Sequence, residues 1–450
     1  MTSKDDLERL DAIEKALLNR WPETRIAPTL DRIAALADAL GSPQLSYPTI
    51  HIAGTNGKTT TTRLIDSLCF QLGMRTGRFT SPHLESFLER ISINGEPISP
   101  EGMIATYNDI ALYLDLIDSR MPNKLSFFES MCALAFVAFA EFPVDVGIFE
   151  CGMGGEWDST NVINADVSVI TPIGFDHMEY LGDTLEKIAL TKSGIIKEGS
   201  FAVLARQEPE VAQVLMHKSA QVDATPIREG IEYAVKNRAL AVGGQLISIA
   251  GVYGEYNDLF LPLHGAHQAA NAATAIAAVE VFAGESKLDE EVVREALINA
   301  TSPGRCEIIM RNPTVIIDAA HNPHGAQSLK KTISEEFDFE SIIGVVAPMG
   351  DKDVDGILEE LESVIGRLIV SKNSSHRAAE LSELKSIADG IFGNDRVTAI
   401  ESLQEALVKA IEQAKLDNGL SDSNTAVLVA GSVVTAGEAR GIIRRLKEKR

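Results

Sequence analysis

Gly54, Gly57, Lys58 and Thr59 are spaced to hold a phosphate. In Gly54-Thr55-Asn56-Gly57-Lys58-Thr59, the glycines let backbone N–H groups turn inward around an anion. The segment follows a short apolar run, Ile50 to Ala53, and opens a helix-like stretch from Thr60 to Leu72. Strand, Gly-rich turn, Lys-Thr and helix is the layout of a phosphate-binding loop, with the positive end of the helix dipole at the anion. Lys58 can then reach the β and γ phosphates, and the Thr59 hydroxyl can coordinate Mg2+. Ile52 stands where the common pattern has its first glycine. The alternative is a strand-to-helix turn that binds nothing. The flanking strand and helix favour binding of a nucleoside triphosphate.

Ligands of open α/β sheets bind at the carboxyl ends of strands, so strand-end polar residues come next. Val144 to Phe149 ends in Glu150, followed by Cys151-Gly152-Met153-Gly154-Gly155. A carboxylate there suits a Mg2+ ligand, or the cap of a neighbouring helix. Val167 to Ile170 leads to Gly174-Phe175-Asp176-His177, where His177 is open to metal, phosphate or structural roles. Lys192, in Thr191-Lys192-Ser193-Gly194, reads from spacing alone as a solvated surface lysine. In the second half, Ile316-Ile317-Asp318-Ala319-Ala320-His321-Asn322-Pro323 puts Asp318 and His321 at a strand end. There they can meet ribose, phosphate or a nucleophile; a turn built on Asp and Asn is an equal reading.

The elements that must carry these residues alternate. Apolar strands recur after helical stretches at 144–149, 167–170 and 201–204, which implies a doubly wound, mostly parallel sheet. Helices are expected over 4–20, 30–40 and the Ala-rich stretch 269–283. Between 230 and 262, short alternating segments with Gly243, Gly244, Gly251 and Gly254 predict a small antiparallel subdomain. A second α/β pattern has strands near 315–317, 342–346, 368–370 and 426–430, and the polar stretch 415–424 reads as loop. The expected fold is α/β: an N-terminal P-loop domain over 1–304 with its antiparallel subdomain, and a smaller Rossmann-like domain over 305–450, hinged near Thr301 to Arg305.

The 450 residues are 45% apolar and carry a net charge of −23, which argues against nonspecific nucleic-acid and anionic-membrane partners. A locally basic site for an anionic substrate remains compatible with that charge. Cys69, Cys132, Cys151 and Cys306 lie far apart and read as reduced, buried thiols. The charged N-terminal stretch is unlike a signal peptide, and the longest apolar run, Met131 to Ala140, is too short to span a bilayer. A cytoplasmic protein is expected.

Several stretches together resemble the dihydrofolate synthase/folylpolyglutamate synthase family, relatives of the Mur cell-wall ligases. They are the loop Gly54 to Lys58, Phe79-Thr80-Ser81-Pro82-His83-Leu84 with Glu89-Arg90-Ile91, and Gly152 to Gly155 with Trp157-Asp158-Ser159-Thr160-Asn161. Asp176-His177, Lys192 to Lys197, Pro303-Gly304-Arg305 and Asp318 to Pro323 continue the pattern. The resemblance implies a ligase that phosphorylates a pterin-borne carboxylate with ATP and joins it to the amino group of L-glutamate. Dihydropteroate would give dihydrofolate, and folates would give polyglutamates. It implies that Lys58 contacts phosphate within an ATP site of Gly54, Thr55, Asn56, Gly57, Thr59, Thr60, Asn271, Arg305 and Asp318. It implies two Mg2+ ions, one on Ser81 and Glu150 with Thr59 assisting, the other on Glu150 and His177. It places a carbamylated lysine at Lys192, which revises the surface reading. Arg305 and His321 join Lys58 and Lys192 as catalytic groups. Thr80, Pro82, His83 and Phe127 fall on the pterin side, and His321 and Ser432 near glutamate. A monomer is the expected state.

The sequence departs from the family at Thr59-Thr60, where Gly-Ser is usual, and at Glu156, Thr191 and Ala319, where Arg, Glu and Gly are common. Thr59-Thr60 is the Mur-ligase form, so a ligase acting on a UDP-sugar peptide is the near rival; the Ser81 to Leu84 stretch opposes it. A non-catalytic nucleotide-binding regulator is the rival of another class.

Overall fold

Five consecutive buried residues, Thr49–Ala53, make β1, the strand that delivers the phosphate loop. The computed structural model describes residues 4–21, 28–420 and 424–448. The first sheet contains β1, β2 (Thr76–Phe79), β3 (Ile91–Ile93), β4 (Glu96–Pro97), β5 (Val146–Glu150), β6 (Val167–Ile170), β7 (Phe201–Leu204) and β8 (Thr225–Arg228). Its order is β4-β3-β2-β5-β1-β6-β7-β8. The pairs from β2 to β8 are parallel and β3 and β4 add an antiparallel edge. The order reverses beside β1, the place where such sheets bind ligands.

A three-stranded sheet follows: β9 (Ala234–Ala241), β10 (Gly244–Ala250) and β11 (Glu255–Leu261), ordered β11-β10-β9. The two residues between β9 and β10 permit only an antiparallel hairpin. The second large sheet is built from β12 (Glu307–Arg311), β13 (Thr314–Ile317), β14 (Ser341–Val346), β15 (Arg367–Lys372), β16 (Val397–Ser402) and β17 (Thr425–Ala430), in the order β12-β13-β17-β14-β15-β16. Only β12 runs antiparallel.

The chain divides into two compact units. The second begins at Thr301 and also takes Leu240–Gln245 and Leu263–His267. Each buries its own core. In the first, Phe149 packs on Phe139 and Phe136 at 5.4 and 5.5 Å between ring centroids, with Phe79 and Tyr47 beyond. Side chains alternate along a strand, so anchoring Phe149 on this face turns Glu150 to the opposite one. The helix Phe127–Glu141, which supplies Phe136 and Phe139, starts at a capping box: Ser126 and Glu129 each accept the other's backbone N–H.

The stretch 415–424, expected as loop, is helical through Leu420. Ala406, Leu407, Ala410, Ile411 and Ala414 keep helical spacing and are buried, so the register carries the polar end along; residues 421–423 lie outside the described residues. All four cysteines are free and buried. Among the described residues no helix is long and apolar enough to cross a membrane.

Candidate active site

Gly54 and Gly57 occupy positions that admit no side chain. Gly54 has φ +150°, and a Cβ there would lie 1.9 Å from Thr171 Oγ1; Gly57 has φ +89°, and its Cβ would lie 2.7 Å from Asn271 Oδ1. Between them the loop is pinned to the segment after β6. Thr55 N–H donates to the Pro172 carbonyl at 3.0 Å, and the Thr55 hydroxyl donates to the Gly174 carbonyl at 3.0 Å. Asn271, buried on the helix Ala266–Phe282, therefore stands against the glycine that starts the helix Lys58–Gln71.

Two ammonium groups converge on one carbonyl. Lys58 Nζ donates to Gly54 O and Thr55 O, both at 3.1 Å, and Lys192 Nζ donates to Gly54 O at 2.8 Å. Lys192 is 4% exposed, so it is no surface lysine. Burial pushes its pKa down to about 7, and the nearby charge of Lys58 pushes the same way. A large share of this amine is therefore neutral at neutral pH.

Thr59 Oγ1 donates to Glu150 Oε1 at 2.8 Å, and Glu150 is 1% exposed. A loop hydroxyl beside a buried strand-end carboxylate fits Mg2+, which takes few protein oxygens and completes its shell with phosphate and water. Among the described residues there is no group of three His, Cys, Asp or Glu side chains that could hold a metal. His177 has φ +51°, and its Nε2 lies 3.7 Å from Asp176 Oδ2. Asp176 also acts electrostatically on Lys192, which places that carboxylate near the same end of the sheet.

Ser81 lies in the loop between β2 and β3, at a cis Ser81-Pro82 peptide. The loop is closed by Thr80 N–H donating to the Arg90 carbonyl at 2.9 Å. Glu89 accepts the N–H groups of Leu84, Glu85 and Ser86 at 3.0–3.2 Å. His83 is partly exposed, whereas Phe127 is buried with the Arg90 guanidinium 4.8 Å over its ring.

Two groups were not singled out from sequence. Asp158 accepts from Met153 N, Thr160 N and the Thr160 hydroxyl, fastening the loop that follows Glu150, and burial raises its pKa. His51, fully buried on β1, lies 2.7 Å from that hydroxyl. The signal was a polar residue inside an all-buried strand. Two departures from the family pattern also meet here: Glu156 N–H donates to the Thr191 carbonyl at 2.8 Å.

In the second unit, β13 and β17 are parallel neighbours, and their carboxyl ends present Asp318 and Ser432. Asp318 accepts Cys306 N–H and Ala320 N–H, each at 2.7 Å, and burial raises its pKa. His321 Nδ1 lies 3.0 Å from the Ala319 carbonyl, so Nδ1 carries a proton and donates to it. Arg305 Nη1 donates to the Gly304 carbonyl at 3.3 Å. Ser432 is buried and its hydroxyl accepts Thr435 N–H at 3.0 Å, an N-cap for the helix that follows.

Sequence comparison decides the family. Residues 52–279 match the Mur ligase middle domain, and residues 304–433 match the Mur ligase glutamate ligase domain. The chain belongs to the Mur ligase family, in its dihydrofolate synthase/folylpolyglutamate synthase branch. This branch member is 49% identical to the dihydrofolate synthase/folylpolyglutamate synthase of Mycobacterium tuberculosis, over 98% of the chain and 95% of the relative. Identity to the Bacillus subtilis enzyme of that name is 35%, over 94% and 96%. Its fold superimposes on M. tuberculosis folylpolyglutamate synthase complexed with ADP with a TM-score of 0.94, at 49% identity and covering 97% of this chain and 99% of the other. Against E. coli FolC in complex with DHPP and ADP the TM-score is 0.84, at 29% identity and covering 97% and 98%.

Proposed function

We propose that the protein is an ATP-dependent ligase that adds L-glutamate to dihydropteroate, giving dihydrofolate, and to folates, giving polyglutamates. One observation carries the reading: a formed phosphate loop, with Thr59 on Glu150 and two lysines at Gly54, lies in a chain related over 98% of its length to a dihydrofolate synthase/folylpolyglutamate synthase. A cytoplasmic location and a monomeric state complete the proposal, the second being what the family resemblance implies.

The chemistry needs two anions brought together. The substrate carboxylate oxygen attacks the γ-phosphorus, ADP leaves, and an acyl phosphate results. The glutamate amine, freed of its ammonium proton, then attacks the acyl carbon; the C–O bond to phosphate breaks with its electron pair on phosphate, and the nitrogen loses a further proton as the amide forms. Lys58 offsets the charge on the transferring phosphoryl group. The loop N–H groups and the helix start at Gly57 hold the remaining phosphates. Thr59 and Glu150 would hold Mg2+, with Ser81 beside them, and the ion supplies charge neutralisation between the phosphates. His177 serves the second ion. Asn271 contacts the adenine side; the roles of Arg305, Asp318, His321 and Ser432 toward nucleotide and glutamate are those the family resemblance implies.

Incubation with dihydropteroate, glutamate, Mg2+ and ATP is expected to release phosphate only when the pterin is present. Phosphate release indifferent to dihydropteroate and to reduced folates alike would overturn the assignment.

Lys192 is proposed to react with CO2, its neutral amine forming the N–C bond of a carbamate and releasing a proton. The amine is neutral above its pKa of about 7 and protonated below it, so carbamate is present at pH 8 and fades as pH falls through 7. Under 13CO2 the protein should show one carbamate 13C resonance that Lys192→Arg abolishes, with activity falling roughly 10- to 100-fold. A wild-type protein without that resonance at pH 8 would remove the carbamate.

A further inference from the structure

Arg90 has no role in the reading above, although it is 3% exposed and ties two assigned substrate-side residues together. It closes the Phe87–Arg90 turn, and its carbonyl fastens Thr80 across the loop. Its guanidinium lies 4.8 Å over the Phe127 ring, which sets the plane of the fork. In that plane Arg90 Nε donates to His83 Nδ1 at 2.9 Å.

Arginine has donors only, so His83 Nδ1 must accept. An imidazolium has no acceptor, and neither does Nδ1 in the Nδ1–H tautomer. The hydrogen bond is therefore compatible with one state of His83, the neutral ring carrying its proton on Nε2. His83 remains partly exposed, so the Nε2–H is available as a fixed, uncharged donor.

We propose that Arg90, backed by Phe127, is a positioning residue that locks His83 as a neutral Nε2–H donor for a hydrogen-bond acceptor on the edge of the heteroaromatic substrate. The substrate half of this statement rests on the pterin reading; the lock itself does not. It also changes the part expected of Phe127, whose ring supports Arg90 rather than lying open as a stacking surface.

Two measurements test it. In 15N-histidine protein at pH 7, the ring signals lost in His83→Gln identify His83. They should show an unprotonated Nδ1 and a protonated Nε2 in the wild type, and a tautomer mixture in Arg90→Met. An Nδ1–H tautomer or an imidazolium in the wild type overturns the lock, whatever the activity. In steady-state assays, Arg90→Met should raise the KM for dihydropteroate about tenfold with the KM for ATP unchanged, and Arg90→Lys, which keeps a cationic donor, should recover part of it. In a His83→Gln background Arg90→Met should add no further rise. An equal rise in both backgrounds makes Arg90 merely structural and overturns the proposal. Absence of pterin-dependent turnover in the wild type would sink the ligase reading and the substrate half with it, while the tautomer result would still decide the lock.

Discussion

Lys58→Ala is expected to lower kcat/KM for ATP by roughly 10²- to 10³-fold, the loss seen when one preorganised charge-stabilising donor is removed from a reacting centre. The ammonium rests on Gly54 O and Thr55 O, each at 3.1 Å, so it is held at the mouth of the loop rather than swung into solvent. Alanine leaves the loop intact, because its shape is set by the glycines and by the hydrogen bonds of Thr55 to Pro172 and Gly174. The fold and its melting temperature should therefore change little while phosphoryl transfer collapses. Lys192 sits 2.8 Å from the same carbonyl but cannot substitute, since at a pKa of about 7 it is charged in only part of the population. Steady-state kinetics with ATP varied at saturating pterin and glutamate measure the effect. Full activity in the variant would discredit the role given to the loop.

The largest effect on stability is expected at Arg78, away from the chemistry. Arg78 on β2 and Asp66 on the helix Lys58–Gln71 form an ion pair that is 4% and 1% exposed, and Arg78 Nη2 also donates to Ser92 Oγ at 2.7 Å. Such a pair adds little net stability, because both charges were taken out of water to form it. Breaking it is another matter, since the Asp66 carboxylate then stays buried without its hydrogen-bonded partner, with only the more remote attraction of Arg63. Arg78→Met should destabilise by about 3–5 kcal/mol, read from urea unfolding followed by circular dichroism. The double variant Arg78→Met/Asp66→Leu, which removes both charges, should recover most of the loss. A single variant with an unchanged midpoint would mean that water reaches Asp66.

Much of the first unit is legible from local pattern. The run Ile50 to Ala53, the glycines and the periodic helix after them announce a phosphate loop because each local preference agrees with the others. β6 and β7 are found at 167–170 and 201–204 as expected, since buried parallel strands are short apolar runs. β2, β3, β4, β8, β12 and β16 were not picked out. Thr76-Gly77-Arg78-Phe79 has a glycine and a charged residue in four positions, and it becomes a strand because Asp66 neutralises Arg78 and Phe139 fills the space over Gly77. The end of the helix Leu403–Leu420 was misread as loop because its polar composition hid an apolar face set further upstream.

By itself, the sequence determined the nucleotide loop, the strand-end carboxylate Glu150 and, through motifs spread along the chain, the family. These are properties of short segments, and short segments carry them because turn geometry and strand ends are local. The tertiary structure alone decided what surrounds those residues. Lys192, unremarkable in its own segment, is brought 138 positions back to Gly54 and loses its water there. Arg90 meets His83 with Phe127, from a distant helix, under its guanidinium, and Thr160, which fixes Asp158, is met by His51 from 109 positions away. Desolvation and the choice between two ring nitrogens depend on which distant groups close over a side chain, and no window of neighbouring residues contains that information.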